Sequence, residues 1–195
     1  MADRQEWDKR SWREEILARR KALPAETRER EAAALTAAAG ALAAEWVCAY
    51  VPVGGEPGSL AMLDALRAAG SRVLLPLTGE PGPLEWGEYT GPEGLRRGRF
   101  GLREPAGAPL ANGIARAATI LVPALAVDRR GVRLGRGAGY YDRSVDACRG
   151  DARLIAVVRD DELVERLPEE SHDRRMGWAL TPFGGLRRLE DHLGN

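Results

Sequence analysis

Apolar residues recur at helical spacing from residue 7 to 22. Trp12, Ile16 and Arg19/Arg20 follow that period, and Pro24 closes the run. Residues 25–44 are alanine-rich behind a charged TRERE start and predict a second helix. The pattern then changes. WVCAYV (46–51) is a short continuous apolar run bounded by Pro52 and Gly54–Gly55, which predicts a buried strand. SLAMLDALRAA (59–69) predicts an amphipathic helix, with Ser59 as its N-cap and Gly70 as its stop. RVLLPL (72–77) predicts the next strand, so the order strand–helix–strand announces a parallel βαβ unit.

Residues 78–116 are rich in Gly and Pro and read as a two-stranded excursion with a long loop, including a short strand at 84–89. ATILVP (118–123) predicts a third buried strand. A glycine-punctuated loop follows and leads into a helix from about Tyr140. ARLIAVV (152–158) predicts a fourth strand, 160–166 a short helix, 167–173 a loop and 176–182 a last strand. The tail PFGGLRRLEDHL predicts a terminal helical turn. The expected class is α/β: one domain over residues 1–195, with a mostly parallel, Rossmann-like sheet and helices on both faces.

Composition narrows the function classes. The 195 residues are 44% apolar and 30% charged, and 29 basic side chains balance 29 acidic ones. A zero net charge gives no global field for nucleic acid or an anionic membrane. No apolar run approaches the roughly 20 residues of a membrane span. The charged start MADRQEWDKR has no apolar signal core, so the expected location is the cytoplasm. Cys48 and Cys148 are too few for a disulfide framework and fit a reducing compartment, with a single bridge left open. Only Lys9 and Lys21 among the 29 basic residues are lysines. The arginine excess resembles codon bias, so a single Arg carries little weight and a retained Lys slightly more.

The densest chemical signal is 133–143, Arg-Leu-Gly-Arg-Gly-Ala-Gly-Tyr-Tyr-Asp-Arg. Gly135, Gly137 and Gly139 let backbone turn sharply and approach a ligand without a Cβ in the way. A helix beginning at Tyr140 points its first N–H groups into that loop, a geometry suited to phosphate. Arg133 and Arg136 can add bidentate contacts to phosphate or carboxylate oxygens. Asp142 offers the oxygen that Mg²⁺ prefers, and Tyr140 and Tyr141 offer flat faces for a heteroaromatic ring. Each part also has a plainer reading: a glycine-rich loop, or an early-helix acid complementing the helix dipole. The glycines are not expected to follow a strand directly, so the spacing is not the dinucleotide fingerprint.

The string ILVPALAVDxxGxRLGRGAGYYDR (120–143) resembles the signature of the 5-formyltetrahydrofolate cyclo-ligase (5,10-methenyltetrahydrofolate synthetase) family. Four further segments are similar in the same order: KRSWR (9–13), YVPVGGEPGS (50–59), FGLREP (100–105), and LPEESHD (167–173) with LTP (180–182). The resemblance implies a ligase that uses ATP and Mg²⁺ to close 5-formyltetrahydrofolate to 5,10-methenyltetrahydrofolate. In that chemistry the formyl oxygen on N5 attacks the γ-phosphate, N10 captures the activated carbon, and ADP and phosphate leave. It implies that Lys9, Arg13 and the stretch Arg133, Leu134, Gly135, Arg136, Gly137, Ala138, Gly139, Tyr140 and Tyr141 bind ATP. Val51 and Glu56 would take the folate, with Arg136 to Tyr140 also touching it. Arg136 and Tyr140 are the catalytic candidates, Asp142 and Asp173 the magnesium ligands, and Glu104 an organiser of a loop. From composition alone Lys9 and Arg13 belong to a solvated helix face, Glu56 to a surface turn, Val51 to strand core and Asp173 to an acidic surface loop.

Ala138, Val127, Gly177 and Pro57 depart from the family pattern. Ala138 stands where a Lys could reach phosphate, and its loop survives unless that position needs a positive φ. The expected partner is the small-molecule folate, with or without a polyglutamate tail, bound by a monomer. Two other functions stay open: a paralogous ATP-dependent enzyme acting on another acceptor, and a non-catalytic nucleotide- or RNA-binding module. Zero net charge speaks against the latter.

Overall fold

The computed structural model describes residues 7–77, 79 and 82–190. Helix α1 (Lys9–Ala22) starts one residue after Asp8, whose carboxylate accepts the Ser11 N–H at 2.8 Å, so Trp7 of the expected helix lies outside it. Helix α2 (Ala25–Ala38) tightens into a 3-10 turn at Ala39–Leu42 instead of running to 44. The strands β1 (Trp46–Cys48) and β2 (Arg72–Leu77) flank helix α3 (Leu60–Ala68), which Ser59 caps as expected.

Next come β3 (Glu85–Glu88), the hairpin β4 (Leu95–Arg97) and β5 (Arg103–Pro105), and the short helix α4 (Gly113–Arg116). After β6 (Thr119–Pro123), the chain forms β7 (Ala126–Asp128), β8 (Arg133–Leu134) and helix α5 (Tyr140–Val145). It closes with β9 (Arg153–Val157), β10 (Leu163–Val164), β11 (Trp178–Thr181) and β12 (Gly185–Arg188).

The main sheet has the order β12-β11-β9-β6-β1-β2-β3. Its five central strands are parallel; β3 and β12 pair antiparallel at the two edges. This is the expected mostly parallel α/β sheet. Its central strands read as continuous apolar runs because both faces are covered. Strand alternation sends Val47, Val73, Leu75, Leu121, Ile155 and Val157 to the face under α2 and α3. Cys48, Leu74, Ile120, Val122, Ala156 and Val158 go to the other face, with Ile114 of α4 and Val145 of α5.

Three local readings change. Residues 126–134, expected as loop, form the hairpin β7–β8, and β10 adds beside β7 as a second, three-stranded sheet. Its turn contains Gly131 at φ +87°, a backbone angle that a residue with Cβ rarely takes. Residues 160–166, expected as a helix, are a 3-10 turn (160–162) followed by β10, because Glu162 folds back to accept the Arg159 N–H at 2.8 Å. The tail is strand β12, not a helical turn. Gly185 sits at φ +68°, and the Asp160 carboxylate accepts the Gly184 N–H at 2.7 Å, so the chain reverses and pairs with β11. Residues 191–195 of that tail lie outside the described residues.

Helix α1 packs on the small sheet rather than the large one. Trp12 and Ile16 bury against Leu125, Ala126, Val132, Leu134 and Leu167. Their spacing of four residues is the helix period that the sequence displayed. The consequence for function is positional: α1 is held above the ends of the central strands, with its other face free to line a cavity.

Candidate active site

In an open α/β sheet, ligands bind beyond the carboxyl ends of the strands, where the strand order reverses. Here β1 is followed by β2 on one side, and β6 returns on the other side of β1. A cavity of about 870 Å³ sits at that point. Tyr50 and Val51, which follow β1, line it, as do Pro76 and Leu77 at the end of β2 and Pro123 to Leu125 around the end of β6. Apart from Glu104, every candidate site residue lines this one cavity: Lys9 and Arg13 from α1, Val51, Glu56, the whole stretch Arg133 to Asp142, and Asp173.

The glycine stretch follows β8 directly, contrary to the expectation that no strand precedes it. The strand is only two residues long and is made visible by its partner β7. Gly137 and Gly139 have φ of +103° and +68°, so the loop path requires glycine at both. Ala138 between them lacks a positive φ, and its substitution leaves the loop intact. Helix α5 has six residues and carries little dipole, so the expected helix-terminus contribution is small. What the loop offers an anion is its own N–H groups and its arginines.

Except for Arg13, the charged candidate residues of the cavity are paired with acids and bases of its wall. Lys9 Nζ donates to Glu170 Oε2 at 2.7 Å and to Asp173 Oδ2 at 2.8 Å. Four residues along the same helix face, Arg13 Nε donates to the Gly135 carbonyl at 2.9 Å. Arg133 Nη2 donates to Asp142 Oδ1 at 2.8 Å. Arg136 Nε donates to Glu56 Oε1 at 3.2 Å, while the other Glu56 oxygen accepts the Val53 N–H at 3.0 Å. Burial pushes the Asp173 carboxyl up, but the bonds from Lys9 and the Glu170 N–H outweigh it, and the group sits below the usual aspartate value. Burial pulls Lys9 down, yet Asp173 and Glu170 leave it above the usual lysine value. Burial pushes the phenols of Tyr50 and Tyr141 up, so both stay protonated.

This donor set has groups suited to a nucleotide phosphate and to a divalent ion. Arg133 Nε is buried without a hydrogen-bond partner, an N–H in the cavity wall that a phosphate oxygen would satisfy. Asp142 and Asp173 supply the hard oxygens that Mg²⁺ takes. No bond joins these two carboxylates. Among the described residues the tight cluster of possible ligands is Glu170, His172 and Asp173, with ligand atoms within 4.8 Å of one another. Glu170 and His172 were not singled out from the sequence, although the LPEESHD motif contains both. Glu104 does not line the cavity. It is buried in β5 and pairs with Arg96 at 3.2 Å.

Behind the cavity lies a layer that sequence reasoning missed. Arg20, expected only as part of a helical period, is buried and donates to both Glu162 oxygens at 2.8 and 2.7 Å and to the Ala124 carbonyl at 2.7 Å. Arg159 donates to Glu31 at 2.7 Å and to the carbonyl of Gly55, beside Glu56, at 2.9 Å. The Tyr50 hydroxyl donates to the Pro57 carbonyl at 2.6 Å, fixing the other end of the Glu56 loop. A buried arginine beside a half-buried Arg19 and an exposed Lys21 has no signature in sequence.

Comparison with known proteins adds an independent line. Residues 5–182 match the model of the 5-formyltetrahydrofolate cyclo-ligase family. A 5-formyltetrahydrofolate cyclo-ligase of Mycolicibacterium smegmatis is 50% identical over 182 residues, covering 89% of this chain and 93% of that one. The enzyme of the same name from Escherichia coli K12 is 29% identical over 147 residues, 71% of this chain and 79% of that one. Among solved structures, a 5,10-methenyltetrahydrofolate synthetase of Aquifex aeolicus superposes with a TM-score of 0.78 at 27% identity, covering 96% of this chain and 95% of that one. A Mycoplasma pneumoniae protein superposes with a TM-score of 0.71 at 16% identity, covering 89% of this chain and 98% of that one; it supports the fold alone.

Proposed function

The chain belongs to the 5-formyltetrahydrofolate cyclo-ligase family, and from that membership we propose that it converts 5-formyltetrahydrofolate to 5,10-methenyltetrahydrofolate at the expense of ATP. The γ-phosphate passes to the N5-formyl oxygen, N10 attacks the formyl carbon, and phosphate departs with that oxygen, leaving ADP and the closed ring. The observation that carries this reading is the convergence of motif segments distant in sequence on one cavity at the sheet's switch point.

The roles follow from what each side chain faces. Lys9, Arg13 and the N–H groups of Gly135 to Gly139 would hold the phosphates, with Leu134 and Tyr141 shaping the wall. Phosphoryl transfer asks mainly for such positioning and charge balance. Asp142 and Asp173 would hold Mg²⁺, whose charge offsets that developing on the phosphates. Both are bonded to protein cations here, so holding the ion and phosphates would exchange partners: Asp142 and Asp173 would be the residues for the ion, and Lys9 and Arg133 for phosphate. Arg136 is half-exposed, donates to Glu56 at 3.2 Å and to the Val53 carbonyl at 3.5 Å, and could do the same. That would free Glu56 for the folate, whose ring would lie along Val51 in the cavity that Tyr140 also lines.

The chain is taken to act as one domain, as a cytoplasmic monomer on a small molecule, without nucleic acid or membrane. No helix among the described residues is long and apolar enough to cross a membrane. The test is direct. Purified protein with 5-formyltetrahydrofolate should develop methenyl-folate absorbance only when ATP and Mg²⁺ are both present. ATP consumption that requires a different acceptor would favour the paralogue instead, and retention of RNA without turnover would favour the binding module.

A further inference from the structure

Asp128 lies in the signature stretch but not in the cavity, and nothing above gives it a task. It is fully buried. Its carboxylate accepts hydrogen bonds from two separate parts of the chain. Oδ1 accepts the Arg130 N–H and the Val132 N–H, both at 2.9 Å, which closes the β7–β8 turn. Oδ2 accepts the Leu167 N–H at 3.0 Å, the first residue of the acidic 167–173 loop. The Arg130 guanidinium donates to the same Oδ2 at 2.7 Å and to the Leu167 carbonyl at 3.0 Å, so the junction is fastened twice.

Each segment leads to one half of the charged site. From Val132 the chain runs through β8 into Arg133, the glycine loop and Asp142. From Leu167 it runs to Glu170 and Asp173, which grip Lys9. The two halves follow different strands, β8 and β10, and are tied inside the cavity only through α1, by Lys9 to Asp173 and Arg13 to the Gly135 carbonyl. Upstream they are joined by the β7–β10 ladder and by the Asp128 junction at its end, so their spacing depends on that junction as well. A buried carboxylate that accepts several N–H bonds is costly to displace, because each donor it leaves would be unsatisfied.

We propose that Asp128 is a positioning residue that sets the spacing between the glycine loop with Asp142 and the acidic loop with Asp173, and so governs how well the protein accepts a metal–nucleotide complex. This rests on the ATP-dependent cyclo-ligase reading above. A misplacement of about 1 Å at such a site is enough to cost turnover heavily.

The informative variant is Asp128→Asn. It keeps an oxygen for the Arg130 and Val132 N–H groups but presents an NH₂ where Leu167 and Arg130 donate, so it unfastens the acidic loop selectively. Two readouts separate positioning from plain stability. The KM for Mg·ATP should rise about tenfold, with the KM for 5-formyltetrahydrofolate changing less than twofold. Amide exchange should quicken in 167–173 while the β7–β8 hairpin, whose bonds to Oδ1 the variant keeps, stays protected. Arg130→Met, which removes the outer fastening and spares the backbone bonds, should raise the same KM about threefold; it serves as the test if Asp128→Asn fails to fold. Equal shifts in both KM values, or a lower melting temperature with neither KM moved, would show Asp128 to be structural only and overturn the proposal. Absence of methenyl product from the unaltered protein would instead overturn the functional reading on which it rests.

Discussion

The guanidiniums of Arg20 and Arg136 each bond a glutamate within the same few turns of chain around the cavity, but the two pairs are built for opposite uses. Arg20 and Glu162 are each 2% exposed, joined by two bonds, and the arginine also holds the Ala124 carbonyl. Arg136 is 46% exposed and reaches Glu56 through one bond of 3.2 Å. Removing one partner of a sealed pair strands a charge in low dielectric, at a cost of about 3–5 kcal/mol. Opening a pair whose arginine is half in water and whose glutamate, 10% exposed, keeps the Val53 N–H as a donor costs less, because water takes over the guanidinium charge. The protein thus fixes its backbone with ion pairs that cannot be exchanged and equips its cavity with pairs that can. Lys9 with Asp173 and Arg133 with Asp142 fall between these limits, anchored on one side and open to the cavity on the other.

That contrast breaks most readily at Glu162. Glu162→Ala leaves Arg20 and Arg159 without their shared acceptor, and unfolding in urea should show a loss of about 3–5 kcal/mol. A loss below about 1 kcal/mol would mean that water reaches the network and that the two kinds of pair do not differ. Asp142→Ala probes the cavity side. Turnover should fall by about two to three orders of magnitude, the scale of losing one charge-stabilising group. The circular dichroism spectrum should be unchanged. Near-normal ATP-dependent turnover would remove Asp142 from the metal site.

The same contrast explains what could be read from sequence. The strands at 46–51, 72–77, 118–123 and 152–158 were legible because they are buried on both faces and so appear as unbroken apolar runs. Strand β12 was not: Leu186 is its apolar residue beside Arg187 and Arg188, and its pairing depends on Asp160 far upstream. Strands β7, β8 and β10 are two or three residues long, too short for any period to show. The cavity residues were legible because ligand chemistry concentrates them in motifs. The sealed layer was not, because Arg20, Glu31, Asp128, Arg159 and Glu162 look like surface charges until the fold buries them. Even the pairing of Lys9 with Glu170 spans 161 positions and follows from the placement of α1 alone.

A smaller effect tests exchangeability itself. Arg136→Ala should cost less stability than Glu162→Ala, because Glu56, although 10% exposed, keeps the Val53 N–H as a donor. The KM for ATP should nevertheless rise about tenfold, the size of one lost charge-assisted contact of about 1.4 kcal/mol. An unchanged KM would contradict the phosphate role and leave Arg136 as a tether for Glu56.

The smallest effect is the dependence of the Lys9–Asp173 pair on pH, and its sign follows from the two shifts. Asp173 titrates below its ordinary value of 3.8 in the folded protein, so its contribution is complete above that value and disappears as pH falls through the lowered one. Lys9 titrates above its ordinary 10.5, so its contribution is complete below that value and disappears as pH rises through the raised one. The stability difference between the protein and Lys9→Met should therefore be flat, at about 1 kcal/mol, from pH 5 to 9. It should shrink only as the solution becomes more acidic than the ordinary aspartate value or more basic than the ordinary lysine value. His172 lies 3.5 Å from Glu170 Oε2, close enough to compete for the same carboxylates. A difference of zero across that whole range would show that Lys9 does not balance the acidic loop, and would remove this pair from the exchangeable class.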